Sequence, residues 1–162
     1  MATALSNLSE YDADAVPDGS PFVIHLVVSE WNSSITEALT EGARETLIKS
    51  GVQAENIQLW KVPGSFELLY GAQKAQKQKP HAVIAIGSII QGETKHFDFV
   101  CQAVSQGIKD LNVLSDVPVI FCVLTDNTLK QAQERSGGKH GNKGVEAAIA
   151  ALQIANLKPK KA

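Results

Sequence analysis

The sequence predicts a single α/β domain of three layers, an αβα sandwich around a four-stranded, mostly parallel sheet with helices on both faces. Three observations predict it. Short β-branched runs alternate with amphipathic stretches in βαβαβαβα order, the pattern of an open parallel sheet. The strand-like runs are apolar on both faces, as in FVIHLVVS over Phe22 to Ser29, which suits strands covered from both sides. The 162 residues are enough for one sizeable core, since a chain of this size buries roughly 70% of its unfolded surface.

Residues 1–20, with Pro17, Gly19 and Ser20, hold no sustained period and read as an arm before the domain at 21–162. Phe22 to Ser29 is the first strand. Ser33 and Ser34 are plausible N-caps for a helix in which Ile35, Leu39, Ala43 and Leu47 recur every fourth residue, with Gly51 as its C-cap. Ile57 to Val62 is the second strand, followed by Pro63-Gly64-Ser65 and a helix carrying Phe66, Leu69, Ala72 and Ala75. Ala82 to Ile86, ending at Gly87, is the third strand, and its helix carries Phe97, Val100, Val104 and Ile108. Pro118 to Thr125 is the fourth strand. Beyond it the chain reads as helical on either side of a glycine-rich stretch at Gly137 to Gly144, and the final helix covers Val145 to Leu157 before Pro159. Lys158, Lys160 and Lys161 read as a solvated tail.

Composition excludes whole classes. Hydrophobic residues at 44% and charged ones at 20% are ordinary for a globular protein, not for a disordered or collagen-like one. Seventeen acids against fifteen bases give a net charge of −2, which argues against a general nucleic-acid binder. The apolar runs His81 to Ile90 and Pro118 to Leu124 fall far short of the ~20 residues of a membrane span. Glu10, Asp12 and Asp14 do not follow the basic-then-apolar order of a signal peptide, so a cytoplasmic location is expected. Cys101 and Cys122 sit inside apolar patterns and read as buried small hydrophobes rather than as a disulfide or a nucleophile.

Ligands of open parallel sheets bind outside the carboxyl ends of the strands. Four segments fall there: Trp31-Asn32, Gly64-Ser65-Phe66-Glu67, Gly87-Ser88 leading to Gly92-Glu93-Thr94-Lys95-His96, and Thr125-Asp126-Asn127. All four are expected to converge on one rim. Trp31 offers a plate for a planar heterocycle, or is a packing residue; Trp60, within a strand, reads as structural. Glu67 opens a helix, where it either caps or meets sugar hydroxyls. Gly92-Glu93-Thr94 precedes a helix start whose free N–H groups can hold an anion, without Walker spacing. His96 alone of the four histidines adjoins that loop, either as a proton carrier or as a surface residue. Arg135 suits a phosphate by its planar fork, or caps a helix C-terminus. Lys139, Asn142 and Lys143 lie in the same glycine-rich segment. No His/Cys set has zinc spacing, no carboxylate cluster suits magnesium, and no nucleophile elbow or GxGxxG is present, so neither a metal nor a cofactor is expected.

Taken in order, Trp31-Asn32, Val62-Pro63-Gly64-Ser65-Phe66-Glu67, Gly92-Glu93-Thr94-Lys95-His96-Phe97, Val123-Leu124-Thr125 and Gly141-Asn142-Lys143-Gly144 resemble the 6,7-dimethyl-8-ribityllumazine synthases of riboflavin biosynthesis. The resemblance runs from about Phe22 to Leu157. It implies a flavodoxin-like fold and a transferase that condenses 5-amino-6-(D-ribitylamino)uracil with 3,4-dihydroxy-2-butanone 4-phosphate. It implies that Trp31 stacks on the pyrimidine, that Asn32 and Ser65, Phe66 and Glu67 hold the uracil and ribityl chain, and that Ser88, Ile89 and Ile90 complete the pocket. Glu93 and Thr94 would bind phosphate through main-chain amides with Arg135 opposite, and His96 would transfer protons. The family's site straddles two subunits of a pentamer, so Phe121, Arg135 and Lys143 would come from the neighbour.

The sequence departs from the family pattern in places. Trp31 stands where many members have Phe, Gln91 where Arg is common, Cys122 where glycine is frequent, and Ser136-Gly137-Gly138 varies an Ala-Gly-Thr run. Family members form pentamers, decamers or sixty-subunit icosahedral shells. The short Gly137 to Gly141 connection resembles the shell formers, whereas Pro17 and Pro21 hinder the arm from joining a neighbour's sheet. A shell is the expectation, with riboflavin synthase as a conceivable enclosed partner. Two other classes share the fold: a non-catalytic flavin- or lumazine-binding module, in which His96 and Arg135 are incidental, and a shell protein without turnover. A phosphorelay receiver lacks support, since no acidic pair follows the first strand.

Overall fold

The computed structural model describes residues 7–157. Four strands, β1 (Ile24–Ser29), β2 (Ile57–Val62), β3 (Ala82–Ile90) and β4 (Val119–Asp126), form one sheet in the order β2-β1-β3-β4. All its pairings are parallel, in the three-layer arrangement expected. Helices α1 (Ser33–Lys49), α2 (Leu68–Gln76), α3 (His96–Leu114), α4 (Leu129–Arg135) and α5 (Lys143–Ala155) complete the layers. A small antiparallel hairpin, β5 (Ser136–Gly138) and β6 (Gly141–Asn142), links α4 to α5.

Alternation along the strands divides the core. Ile24, Leu26, Val28, Ile84 and Ile86 meet Leu39 and Leu47 of α1, Ala132 of α4, and Ala148 and Leu152 of α5. On the opposite face Val27, Val83 and Ala85 meet Leu68, Ala72 and Ala75 of α2 and Val104 and Ile108 of α3. Each fully buried leucine or isoleucine contributes about 1.5–3 kcal/mol. The division matters for function, because α4 and its Arg135 lie on the layer away from α2 and α3.

Several local readings are corrected. Asn32, in left-handed conformation (φ 58°), occupies the N-cap position of α1 without a side-chain capping bond, and Ser33 and Ser34 lie within the helix. Gly51 does end the helix as expected, with φ +100° and its N–H donating to Ile48 O. Helix α2 buries Leu68, Gly71, Ala72 and Ala75, whereas Phe66 precedes the helix and is exposed. A Cβ at Gly71 would sit 2.7 Å from Val27 Cγ1 and 2.8 Å from Val62 Cγ1, so glycine lets α2 lie close on the sheet. Strand β3 does not stop at Gly87 but runs on to Ile90. Phe97 and Val100 are half-buried rather than core.

The glycine-rich stretch is the β5–β6 hairpin, and α5 starts at Lys143 rather than Val145 because Asn142 caps it. Asn142 Oδ1 accepts from Gly144 N–H at 2.8 Å, and Asn142 Nδ2 donates to Ala38 O of α1 at 2.9 Å. A Cβ on Gly144 would collide with Leu39 O, so α5 meets α1 backbone to backbone there. Leu8 N–H donates to His140 O at 2.8 Å, and Ser9 Oγ accepts from Asn142 N–H at 2.9 Å, which seats Leu8 and Ser9 on this hairpin. Cys122 is fully buried, its thiol pushed up to about 12 by burial, and Cys101 is half-buried; both are free. Among the described residues no helix is long and apolar enough to cross a membrane. Lys158, Lys160 and Lys161 lie outside the described residues.

Candidate active site

The carboxyl ends of β1, β2 and β3 and the start of α3 enclose a cavity of about 730 Å³, inside the ~300–1,000 Å³ range of small-molecule sites. It opens where the chain leaves β1 for one sheet edge and β3 for the other, the topological switch point at which such folds bind ligands.

Trp31 lines this cavity and is 70% exposed, so it is not a packing residue. Its loop is pinned from beneath: Glu30 N–H donates to Val62 O at 2.8 Å and Trp31 N–H to Pro63 O at 3.1 Å. Asn32, also on the cavity wall, donates from Nδ2 to Ser88 O at 3.0 Å. Trp60 packs against the α2–α3 side of the core.

Ser65 and Ser88 are buried lining residues whose Oγ atoms have no hydrogen-bond partner. Buried polar atoms are rarely left unpaired, and two on one cavity wall are ready contacts for a polar ligand. Glu67 occupies the N-cap position of α2 but makes no side-chain capping bond, so the capping explanation for it fails. A Cβ on Gly64 would lie 2.9 Å from Glu67 Oε2, so the small residue leaves that carboxylate its place. Phe66, Ile89 and Ile90 supply apolar wall.

Gly92, Thr94 and His96 line the cavity from the α3 side, and His96 is the first residue of that helix. Thr94 Oγ1 accepts from His96 N–H at 3.3 Å, occupying one of the amides expected to be free for an anion. Glu93 is exposed in the same loop and does not line the cavity. The other three histidines are accounted for otherwise. His25 is buried beside Trp60 at 5.8 Å, with burial holding its pKa down. His81 Nδ1 accepts from Val23 N–H at 2.9 Å, and His140 faces Glu134 at 3.7 Å.

The fourth rim segment does not join. Thr125, Asp126 and Asn127 line a separate polar cavity of about 340 Å³ together with Arg135. Three loops converge, not four, because β4 is the sheet edge and hands the chain to α4 on the α1–α5 face. Arg135 Nε lies 3.7 Å from Asp126 Oδ1, and Lys143 Nζ lies 3.1 Å from Glu146 Oε1. Phe121 is exposed on β4. Phe121, Arg135 and Lys143 are therefore all absent from their own chain's cavity. Sequence reasoning missed Phe99 and Ala103 on its wall and read Phe97 and Val100, which also line it, only as packing residues of α3; the signal for Phe99 was an aromatic outside the apolar stripe of that helix. Among the described residues no group of three or more His, Cys, Asp or Glu could hold a metal ion.

The family model for 6,7-dimethyl-8-ribityllumazine synthase matches residues 22–159. The chain belongs to the 6,7-dimethyl-8-ribityllumazine synthase family. A relative of that name from Christiangramia forsetii is 59% identical over 98% of this chain and 95% of its own length. One from Flavobacterium johnsoniae is 61% identical over 98% of this chain and 84% of its own, and one from Porphyromonas gingivalis is 55% identical over 97% and 98%. The lumazine synthase match covers all of the loops that build the cavity, and it marks the chain as an enzyme of the transferase class.

Proposed function

We propose that this chain condenses 5-amino-6-(D-ribitylamino)uracil with 3,4-dihydroxy-2-butanone 4-phosphate to give 6,7-dimethyl-8-ribityllumazine, phosphate and water. The observation that carries the reading is the meeting of Trp31, Glu67 and His96 on one cavity in a lumazine synthase chain. The ring amine attacks the ketone and water leaves as the imine forms. Phosphate is then eliminated, and ring closure with loss of water completes the lumazine.

Trp31 stacks on the pyrimidine, with Ser88, Ile89 and Ile90 beside it. Asn32, Ser65 and Phe66 bound the uracil, and the uncapped carboxylate of Glu67 takes ribityl hydroxyls. His96 carries protons to and from the reacting atoms. Glu93 and Thr94 meet the phosphate through main-chain amides. Much of the rate comes from holding two reactants in register, with proton transfer adding to it.

Phe121, Arg135 and Lys143 serve the cavity of an adjacent copy in a homopentamer, since none reaches its own. Exposed Leu59, Tyr70, Phe99, Val113 and Leu114 support packing between copies, because monomers rarely leave so much large apolar surface bare. The brief β5–β6 hairpin supports a sixty-subunit shell, with riboflavin synthase as a candidate guest. Residues 1–20 act as an arm to the catalytic domain at 21–162, and the enzyme works in the cytoplasm without metal or cofactor.

Mixing the two substrates and following the absorbance and fluorescence of the lumazine tests the reaction. Turnover is expected; binding of the product without turnover would replace the reading with that of a carrier. Light scattering reads the assembly, and a lone pentamer would overturn the shell.

A further inference from the structure

We infer that Asp126 is a positioning residue for Arg135, holding its guanidinium by the Nε edge so that the outer nitrogens stay free for a phosphate. The inference rests on the proposed role of Arg135 in the neighbour's site and adds a residue to it.

The frame around the pair is fixed at both ends. Asp126 is the last residue of β4, and its main-chain oxygen accepts from Gln91 N–H at 2.9 Å. Helix α4 starts in a capping box: Thr128 Oγ1 accepts from Gln131 N–H at 3.2 Å, while Gln131 Oε1 accepts from Thr128 N–H at 3.2 Å and from Asn127 N–H at 2.8 Å. Arg135 ends this short helix, and its side chain comes back to the strand end it left, with Nε 3.7 Å from Asp126 Oδ1. The ion pair thus closes the segment from β4 to the last turn of α4.

The charges near the pair single out this partnership. Asp126 and Arg135 line the polar cavity with Glu134 and His140, but those two face each other at 3.7 Å. The Asp126 side chain is only 8% exposed, and its Oδ2 is buried without a partner. A carboxylate in such a place is costly, and an amide of the same shape would fold there at less cost. What the carboxylate alone supplies is charge directed at one edge of Arg135. At ion-pair distance Nε is the guanidinium nitrogen nearest Asp126, which leaves the two terminal nitrogens as a fork, the geometry that meets two oxygens of one phosphate.

The test is a double-mutant cycle on the full-length assembled enzyme. Asp126→Asn should raise KM for the phosphorylated ketone about two- to fivefold, the range of a partly exposed ion pair. KM for the aminouracil should stay unchanged and Tm should not fall. Arg135→Ala should raise the same KM further, and adding Asp126→Asn to it should change nothing more. An Asp126→Asn penalty that persists undiminished in the Arg135→Ala background would overturn the inference, as would no change in the single variant or equal rises in both KM values. If Arg135→Ala itself leaves both KM values untouched, the phosphate reading of Arg135 falls and takes this inference with it.

Discussion

Asn32 Nδ2 donates a 3.0 Å hydrogen bond to the main-chain oxygen of Ser88, joining the ends of β1 and β3 at the cavity wall. Asn32 does this from a left-handed conformation, φ 58° and ψ 46°, which asparagine tolerates better than most residues. One residue thereby turns the chain from β1 into α1 and holds Trp31 beside the β3 wall.

Replacing Asn32 separates these two roles. Asn32→Gly keeps the backbone conformation and loses the bond, at a cost of about 0.5–1.5 kcal/mol. Asn32→Ala loses the bond and adds left-handed strain of about 1–2 kcal/mol, so it should melt lower than the glycine variant. Thermal melts of both, with KM for the aminouracil, check the order; equal melting would show the conformation to be unstrained.

His96→Ala should slow kcat about a hundredfold or more while the protein stays folded. The side chain is exposed at the first position of α3, so its loss costs little packing. Steady-state rates at saturating substrate decide the point, and an unchanged kcat would remove His96 from the chemistry.

Gly144→Ala should destabilise the fold by about 1–3 kcal/mol, which a melt would show as a drop of several degrees. The added methyl would run into Leu39 O, a main-chain atom that has no rotamer to turn away. An unaltered Tm would mean that α1 and α5 can part freely at that point.

Burial raises the Asp126 carboxyl above its ordinary value of 3.8, and the neighbouring Arg135 pulls it partly back. The folded protein therefore binds that proton more tightly than the unfolded chain does. The cost of ionising Asp126 in the fold is fully present above the folded-state value and is gone once the pH drops below 3.8. Asp126→Asn should accordingly melt higher than the parent near neutrality, with the gap closing toward acid, as a Tm series between about pH 4 and 7 would show. A parent that is the more stable of the two at neutral pH would contradict this.

The layers of the fold were legible because each rests on a repeated period. Ile35, Leu39, Ala43 and Leu47 announce a helix wherever it packs, and all four are buried. Misreadings gather where a small residue plays two parts. Gly87 reads as a strand end, yet β3 runs on through it, paired with β4; glycine fits there because a Cβ would lie 2.8 Å from Ser65 Oγ and 2.9 Å from Leu68 Cδ1. Gly71 goes unread, yet a Cβ there would lie 2.7 Å from Val27 Cγ1, so its lack of a side chain lets α2 lie close on the sheet. For the site, the residues on β1, β2 and β3 were legible from their places after strands. The separation of Thr125-Asp126-Asn127 was not, because it depends on strand order across the sheet and on the face to which α4 is delivered. Neither is written in local periodicity.

If the site is shared as proposed, the delivery of α4 to the face opposite the cavity makes function a matter of adjacency rather than of the single chain. On the proposed shared site, each copy lends Arg135 to one neighbour and borrows it from another. Subunits crippled in different halves should then rescue one another. Co-assembling His96→Ala chains with Arg135→Ala chains would recreate intact junctions wherever an Arg135→Ala copy supplies the cavity and a His96→Ala copy supplies the guanidinium. Activity in the mixture above that of either parent would reveal such hybrid sites; activity at the average of the two would place every essential group within one chain.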